Sequence, residues 1–229
     1  MHSPTSTDAV REMFNRISPT YDLLNFLLSC GVHNVWARKA VLSVEGVPEG
    51  VCLDLCTGTG ALVPMLAKRF NRVVAADISP GMLELGRKNH AAIPNCTWVE
   101  ANALDLPFLN DEFDVATVAY GVRNWPDPSK GLSEVQRVTK PGGKIVVLEF
   151  GQPRNSVWRA IFGWYSRWVI PCLGSAISGD KDAYRYLPET SAAFPCREAF
   201  TELLSRQGWR NSRYSPLMGG IAYIYVAEK

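Results

Sequence analysis

No apolar run in this chain approaches the ~18 uninterrupted residues that a membrane-spanning helix requires. Lysine and arginine never cluster into a run, and the formal net charge is only +2. That removes the electrostatic footprint of a nucleic-acid binder, and no nucleic-acid partner is expected. The stretch Met1 to Asp8 has no apolar core, so neither a secretory signal nor a transit peptide is suggested. Six cysteines stand singly, none in a C-x-x-C pair. They read as small buried hydrophobes in a reducing, cytoplasmic setting rather than as metal ligands or disulfides, and no metal is expected. Histidine is scarce as well: His2, His33 and His90 are the three, and none flanks a strand end. The usual imidazole base is not evident.

What the chain does have is concentrated in Val51-Cys52-Leu53-Asp54-Leu55-Cys56-Thr57-Gly58-Thr59-Gly60. An apolar strand runs into a loop with two glycines, and a helical pattern from Ala61 to Phe70 follows. In doubly wound sheets, nucleotide-like ligands bind at such a strand end. A dinucleotide fingerprint wants a third small residue three positions after the second glycine, where this chain has Val63. Asp54 lies within the strand itself, where a carboxylate repels a pyrophosphate but suits a cationic amino-acid moiety. The loop points to S-adenosylmethionine and away from NAD.

Strand and helix patterns alternate beyond residue 51. Val73 to Asp77, Cys96 to Glu100, Asp114 to Val118 and Lys144 to Phe150 read as strands, the last entered through a Lys140-Pro141-Gly142-Gly143 turn. Helices are expected from Ser79-Pro80 to Asn89, from Ser129 to Val138 and from Arg197 to Gln207. Arg210 to Tyr214 and Ala222 to Ala227 then form a hairpin about a Pro216 to Gly220 turn. The expected fold is a single α/β domain, residues 1–229, with a doubly wound, mostly parallel sheet of about seven strands and an antiparallel C-terminal hairpin. That is the arrangement of class I methyltransferases. Residues 8–45 form a helical N-terminal cap, with one helix starting at Ser18-Pro19 and ending at Cys30-Gly31. Residues 152–195 are an insertion expected to form part of the acceptor site.

Four strand ends converge on one ligand. Thr57, Gly58, Thr59 and Gly60 cradle a methionine end above Asp54. Asp77, with Ile78 beside it, is placed to accept both ribose hydroxyls. Asn102 and Ala103 border the adenine, and Ala119-Tyr120-Gly121 lies beneath the sulfonium. Directly after comes Arg123-Asn124-Trp125. A guanidinium does not deprotonate, so Arg123 suits stabilisation of a phenolate or orientation of a water better than direct base catalysis. Tyr21 and Asp22 in the cap offer an aromatic face for a sulfonium and a hydrogen-bond acceptor; amphipathic packing explains them equally well. In the insertion, Trp158, Ile161, Phe162, Tyr165, Trp168 and Val169 share one helical face. Packing on the sheet is the default for such a face, and a membrane-surface patch with Arg154, Arg159 and Arg167 near headgroups is the second reading.

The segments Phe14 to Asn25, Asp54 to Gly60, Gly121 to Asn124, Leu148-Glu149-Phe150 and Ser178 to Leu187 stand in an order that closely resembles the C-methyltransferases of menaquinone and ubiquinone biosynthesis (UbiE/MenG type). The resemblance covers nearly the whole chain, and its outer motifs lie outside the generic cofactor core. It implies methyl transfer from S-adenosylmethionine to a ring carbon of a polyprenylated quinol. Carried over, the cofactor contacts fall on Thr59, Asp77, Asn102 and Ala103. Many relatives have serine where this chain has Ala119, and small Ala or Gly where it has Cys56. Arg123 with Asn124 is expected to stabilise the developing phenolate, while Tyr21, Asp22 and Tyr184 line the acceptor pocket. Demethylmenaquinol is the favoured acceptor; a methoxy-polyprenyl-benzoquinol, or both, stays open. So do a nicotinamide-dependent reductase, a non-catalytic subunit that binds the cofactor, and a phospholipid or sterol acceptor. The partner set is the quinol, a peripheral contact at the inner face of the membrane, and room for a homodimer.

Overall fold

The computed structural model describes residues 6–44, 50–178 and 190–229. Its frame is a seven-stranded sheet built from β1 (Val51–Leu55), β2 (Arg72–Asp77), β3 (Cys96–Glu100), β4 (Phe113–Ala119), β5 (Thr139–Phe150), β6 (Arg210–Leu217) and β7 (Ala222–Glu228), in the order β3-β2-β1-β4-β5-β7-β6. The first five strands are parallel, and β7 runs antiparallel to both β5 and β6. The chain order reverses between β1 and β4, which opens a crevice at the carboxyl ends of those strands.

Composition explains why the last strand inserts inside the sheet while β6 takes the edge. Ala222-Tyr223-Ile224-Tyr225-Val226-Ala227 is buried throughout, as a strand covered on both faces must be. β6, with Arg210, Asn211, Arg213 and Pro216, is mostly exposed. Edge strands tolerate charge and proline because one row of their backbone groups meets water.

The period of two divides the core between the faces. Leu53, Leu55, Val74 and Ile145 pack on one side; Cys52, Val73, Val146 and Leu148 pack on the other. Helices α4 (Val63–Leu66), α5 (Pro80–Asn89) and α6 (Pro128–Val138) lie in the crossovers. α5 opens on the expected Ser79 cap, its hydroxyl accepting a backbone N–H, and α6, expected from Ser129, opens one residue earlier on the Asp127 carboxylate.

Four expectations are corrected. The helix foreseen from Ala61 to Phe70 is only four residues long: it starts at Val63, which puts Pro64 in the first turn where proline is tolerated, and the chain closes in turns from Ala67 onward. So short a helix contributes little dipole, and the loop's own N–H groups must serve the ligand. The Lys140 to Gly143 segment is an irregularity within β5: the register with β4 shifts between Phe113 and Val115, and Gly142 has φ +77°. The turn of the closing hairpin is confined to Met218–Gly220. His90, whose position reads as a solvated helix terminus, does close α5 but is half-buried there, stacked on Trp98 with centroids 6.1 Å apart.

The cap consists of α1 (Thr7–Ile17), a 3₁₀ turn at Ser18–Thr20, α2 (Tyr21–Ser29) and α3 (Val32–Leu42). Cys30, in the left-handed region, ends α2 as expected. Met13, Ile17 and Leu24 of the cap form a small core with Met82 of α5 and Ile170. The insertion begins as α7 (Ser156–Trp164), passes through a π-turn at Tyr165–Val169 and continues as α8 (Ile170–Ser178). A π-turn adds a residue to the helical period. The single apolar face expected here is divided among the sheet, the cap and the surface. Trp158 and Phe162 pack on the sheet and Tyr165 on the cap, whereas Ile161, Trp164 and Trp168 are 52%, 62% and 65% exposed.

Candidate active site

At the end of β1, Cys56 and Gly58 adopt left-handed backbone (φ +58° and +56°), and Gly60 has φ +86°. A Cβ on Gly60 would stand 2.5 Å from the Trp98 ring, so both conformation and space demand glycine there. The bend turns the Gly58 N–H onto Asp77 Oδ2 at 2.8 Å, while Asp77 Oδ1 accepts from Ser79 N–H at 2.9 Å. Asp77 is buried, and burial pushes its carboxyl above the ordinary range against these two donors.

Asp54 lies deeper and does not line the crevice. Its two oxygens accept from Thr57 Oγ1 at 2.6 Å and Thr117 Oγ1 at 2.7 Å. Desolvation is the largest influence on it, and the carboxyl is pushed up to about 6. A carboxyl whose folded-state pKa is raised keeps its proton longer folded than unfolded, so stability is lost as pH rises from about 4 through 6. Asp54→Asn, neutral at every pH and able to meet both threonine hydroxyls, is expected to gain on the wild type by about 1 kcal/mol between pH 5 and pH 7. Thermal melting at the two values checks this; an unchanged gap would mean that Asp54 is not burdened by burial.

A cavity of 70 Å³ lies at the strand ends, with Gly58, Asp77, Ile78, Asn102, Ala103 and Ala119 in its wall. Asn102 is braced by its own turn, Oδ1 accepting from Leu104 N–H at 3.0 Å. Thr57, Thr59 and Gly60 are close by in the loop but do not line the cavity.

The cap closes over it at two points. Thr59 Oγ1 donates to Asp22 Oδ1 at 2.6 Å, and Ser79 Oγ and Gly81 N–H both donate to Asn15 Oδ1. Tyr21 lines the cavity, its ring edge-on to Phe14 at 6.1 Å. Asp22 is spent on Thr59 and does not reach the wall. Thr7, Val10 and Phe14 also line it and had not been picked out, although their spacing on one helical face was available. His33 touches Ser29 instead, with Nδ1 2.6 Å from its Oγ. Tyr184 falls outside the described residues.

After β4, Tyr120 takes φ +57°, a costly conformation for a bulky residue. Gly121 follows because a Cβ there would meet Cys56 Sγ at 2.6 Å. The Tyr120 carbonyl accepts from Arg123 Nη1 and from Asn124 Nδ2. Arg123 is no surface arginine: its side chain is 7% exposed and pairs at 2.6 Å with Glu149, which is 0% exposed. Glu149 also accepts from the N–H groups of Arg123 and Phe150. The guanidinium stands 5.2 Å from the Phe150 ring centroid and 6.0 Å from that of Tyr120. Asn124 lines the cavity, but Arg123 does not.

Among the described residues, four buried side-chain polar atoms lack a partner, and three belong to this corner: Tyr120 Oη, Arg123 Nε and Asn124 Oδ1. Native interiors rarely leave such groups orphaned, and a cluster beside a cavity points to a polar ligand. The cavity's other wall carries the Asp77 carboxylate, which suits a ligand bearing hydroxyls or a cationic group. S-adenosylmethionine has both.

Comparison with known proteins bears on this geometry. A family profile described as the ubiE/COQ5 methyltransferase family matches residues 2–229. The chain is 44% identical to the demethylmenaquinone methyltransferase of Thermus thermophilus, covering 95% of this chain and 100% of that protein. It is 39% identical to the ubiquinone/menaquinone biosynthesis C-methyltransferase UbiE of Bdellovibrio bacteriovorus, over 98% and 97% of the two chains. An S-adenosylmethionine-dependent methyltransferase of Thermotoga maritima superposes with a TM-score of 0.66 at 18% identity, covering 95% of this chain and 99% of that one. At that identity, the likeness shows the fold.

Proposed function

Since the chain belongs to the ubiE/COQ5 methyltransferase family and is an S-adenosylmethionine-dependent C-methyltransferase of quinone biosynthesis, we propose that its acceptor is demethylmenaquinol and that the ring is methylated at the Tyr120–Arg123–Asn124 corner. The observation that carries this reading is the pair of unpartnered polar atoms on cavity-lining residues there, Tyr120 Oη and Asn124 Oδ1, which a ring hydroxyl can satisfy. The printed name of the Thermus thermophilus relative favours the menaquinone precursor over a benzoquinol.

The cofactor supplies an electrophilic methyl group when bound. Asp77 would hold ribose hydroxyls, the loop from Thr57 to Gly60 the methionine end above Asp54, and Asn102 and Ala103 the adenine. The rest is the work of acceptor-side residues. Asn124 Oδ1 is placed to accept from a ring hydroxyl, and Arg123 brings positive charge behind it, so that negative charge developing on the ring oxygen is stabilised in a water-poor site. Glu149 fixes the guanidinium. Tyr21 closes the cavity from the cap, and Asp22 holds the cap on Thr59.

The exposed Ile161, Trp164 and Trp168, with Arg159 and Arg167 in the same stretch, form the surface through which we expect peripheral contact with a membrane. Deleting the gene in a menaquinone-producing host should make demethylmenaquinone accumulate, as read by mass spectrometry of extracted quinones. Accumulation of a demethylated benzoquinone instead would assign the other acceptor.

A further inference from the structure

We propose that the cavity between the end of β5 and α7 houses the isoprenoid units nearest the acceptor ring, an inference that rests on the quinol reading above. This cavity measures 310 Å³, at the lower end of the range of small-ligand pockets (about 300–1,000 Å³). Phe150, Pro153, Phe162 and Ile170 give it a mostly apolar wall; Gln152, Arg159, Ser191 and Ser166, the last from the π-turn, are its polar residues. Turns of this kind recur at functional sites.

Its place in the fold carries the argument. On the inner side, the Phe150 ring lies 4.7 Å from that of Tyr120, and Tyr120 lines the cavity at the strand ends. On the outer side, the same helical segment presents Ile161, Trp164 and Trp168 to the surface. Apolar side chains thus follow one another from the orphaned polar corner, through the Tyr120–Phe150 pair that stands between the two cavities, to the surface. A ring at that corner with its chain directed past that pair would place the chain against a largely apolar lining. An isoprenoid suits that majority, whereas a ligand polar along its whole length would leave groups unpaired against Phe150, Pro153, Phe162 and Ile170.

Gly163 offers a clean test. It lines the cavity, and no heavy atom lies within 4 Å of where its Cβ would stand. Leucine or alanine at a helix-interior glycine also improves helix propensity, so both variants should fold. The probes are a long-chain demethylmenaquinol and the chainless 1,4-naphthalenediol, assayed with the full-length protein and S-adenosylmethionine. Gly163→Leu is expected to lower kcat/KM for the long-chain acceptor by about tenfold or more, the discrimination a hydrophobic pocket gives for one or two methylenes. Gly163→Ala should lower it less, and the chainless acceptor and cofactor affinity should be unchanged in both. Equal losses for both acceptors, or no loss for either, would overturn the assignment. So would a Gly163→Leu variant that binds vesicles more weakly yet discriminates chains as the wild type does, since a bilayer acyl chain would then be the occupant. A wild-type protein that methylates neither acceptor would overturn the quinol reading itself, a different outcome from ring methylation indifferent to the chain.

Discussion

Glu149→Ala is expected to cut methyl transfer by orders of magnitude and to lower the unfolding free energy by about 3–5 kcal/mol, the cost of leaving one charge of a buried pair alone. For a chain of this size that is roughly 6–20 °C in melting temperature. The reason is the environment of Arg123. Its guanidinium is buried beside two aromatic rings, and Glu149 is the side chain that neutralises it. Arg123→Ala should do the same from the other side, stranding Glu149 with only two backbone N–H groups. Cofactor affinity should stay near normal in both variants, because neither residue lines the cavity at the strand ends.

The double variant separates stability from chemistry. Removing both charges leaves no unpaired ion, so it should melt above either single variant, a clear departure from additivity. Turnover should not recover, because the positive charge at the acceptor corner is gone. If turnover returned with stability, the pair would be a structural strut and the assignment of Arg123 to the phenolate would fall. Additive melting losses would contradict the ion-pair account instead.

Asp77→Ala is expected to weaken S-adenosylmethionine binding by about 100-fold or more, on the footing that two hydrogen bonds to a charged group contribute at least about 3 kcal/mol. Asp77 lines the cavity and orders the loop through Gly58 N–H, so its loss removes a ligand contact and a brace together. The same substitution leaves the Gly58 and Ser79 N–H groups without their acceptor, so thermal stability without cofactor should also fall, by about 1–3 kcal/mol. Asp77→Asn, which keeps the shape and one acceptor, should fall between the two. Calorimetric titration reads the affinity; a variant that binds as the wild type does would remove Asp77 from the site.

Much of this was legible in the chain because strand ends are local events. Asp54, Thr57 to Gly60 and Asp77 follow from an apolar run, its turn residues and the next acidic strand end. The closing hairpin was equally readable, but which of its strands takes the edge was not expected, although one is wholly apolar and the other charged with a proline. What sequence could not supply were partners fixed only by folding. Glu149 lies 26 residues from Arg123, and nothing in Leu148-Glu149-Phe150 names its partner. The capture of Asp22 by Thr59 spans 37 residues and turns a presumed wall residue into a latch. The π-turn at Tyr165–Val169 was hidden for another reason: a regular period of 3.6 was assumed across it.

The central claim, that this site methylates a quinol ring carbon, is tested most directly with methyl-labelled S-adenosylmethionine and demethylmenaquinol under reducing conditions, with the product analysed by mass spectrometry. The expected result is one labelled methyl group on the ring carbon, formed by the wild type and nearly absent with Arg123→Ala at the same cofactor occupancy. Label on a ring oxygen, or full cofactor binding with no labelled product, would contradict it.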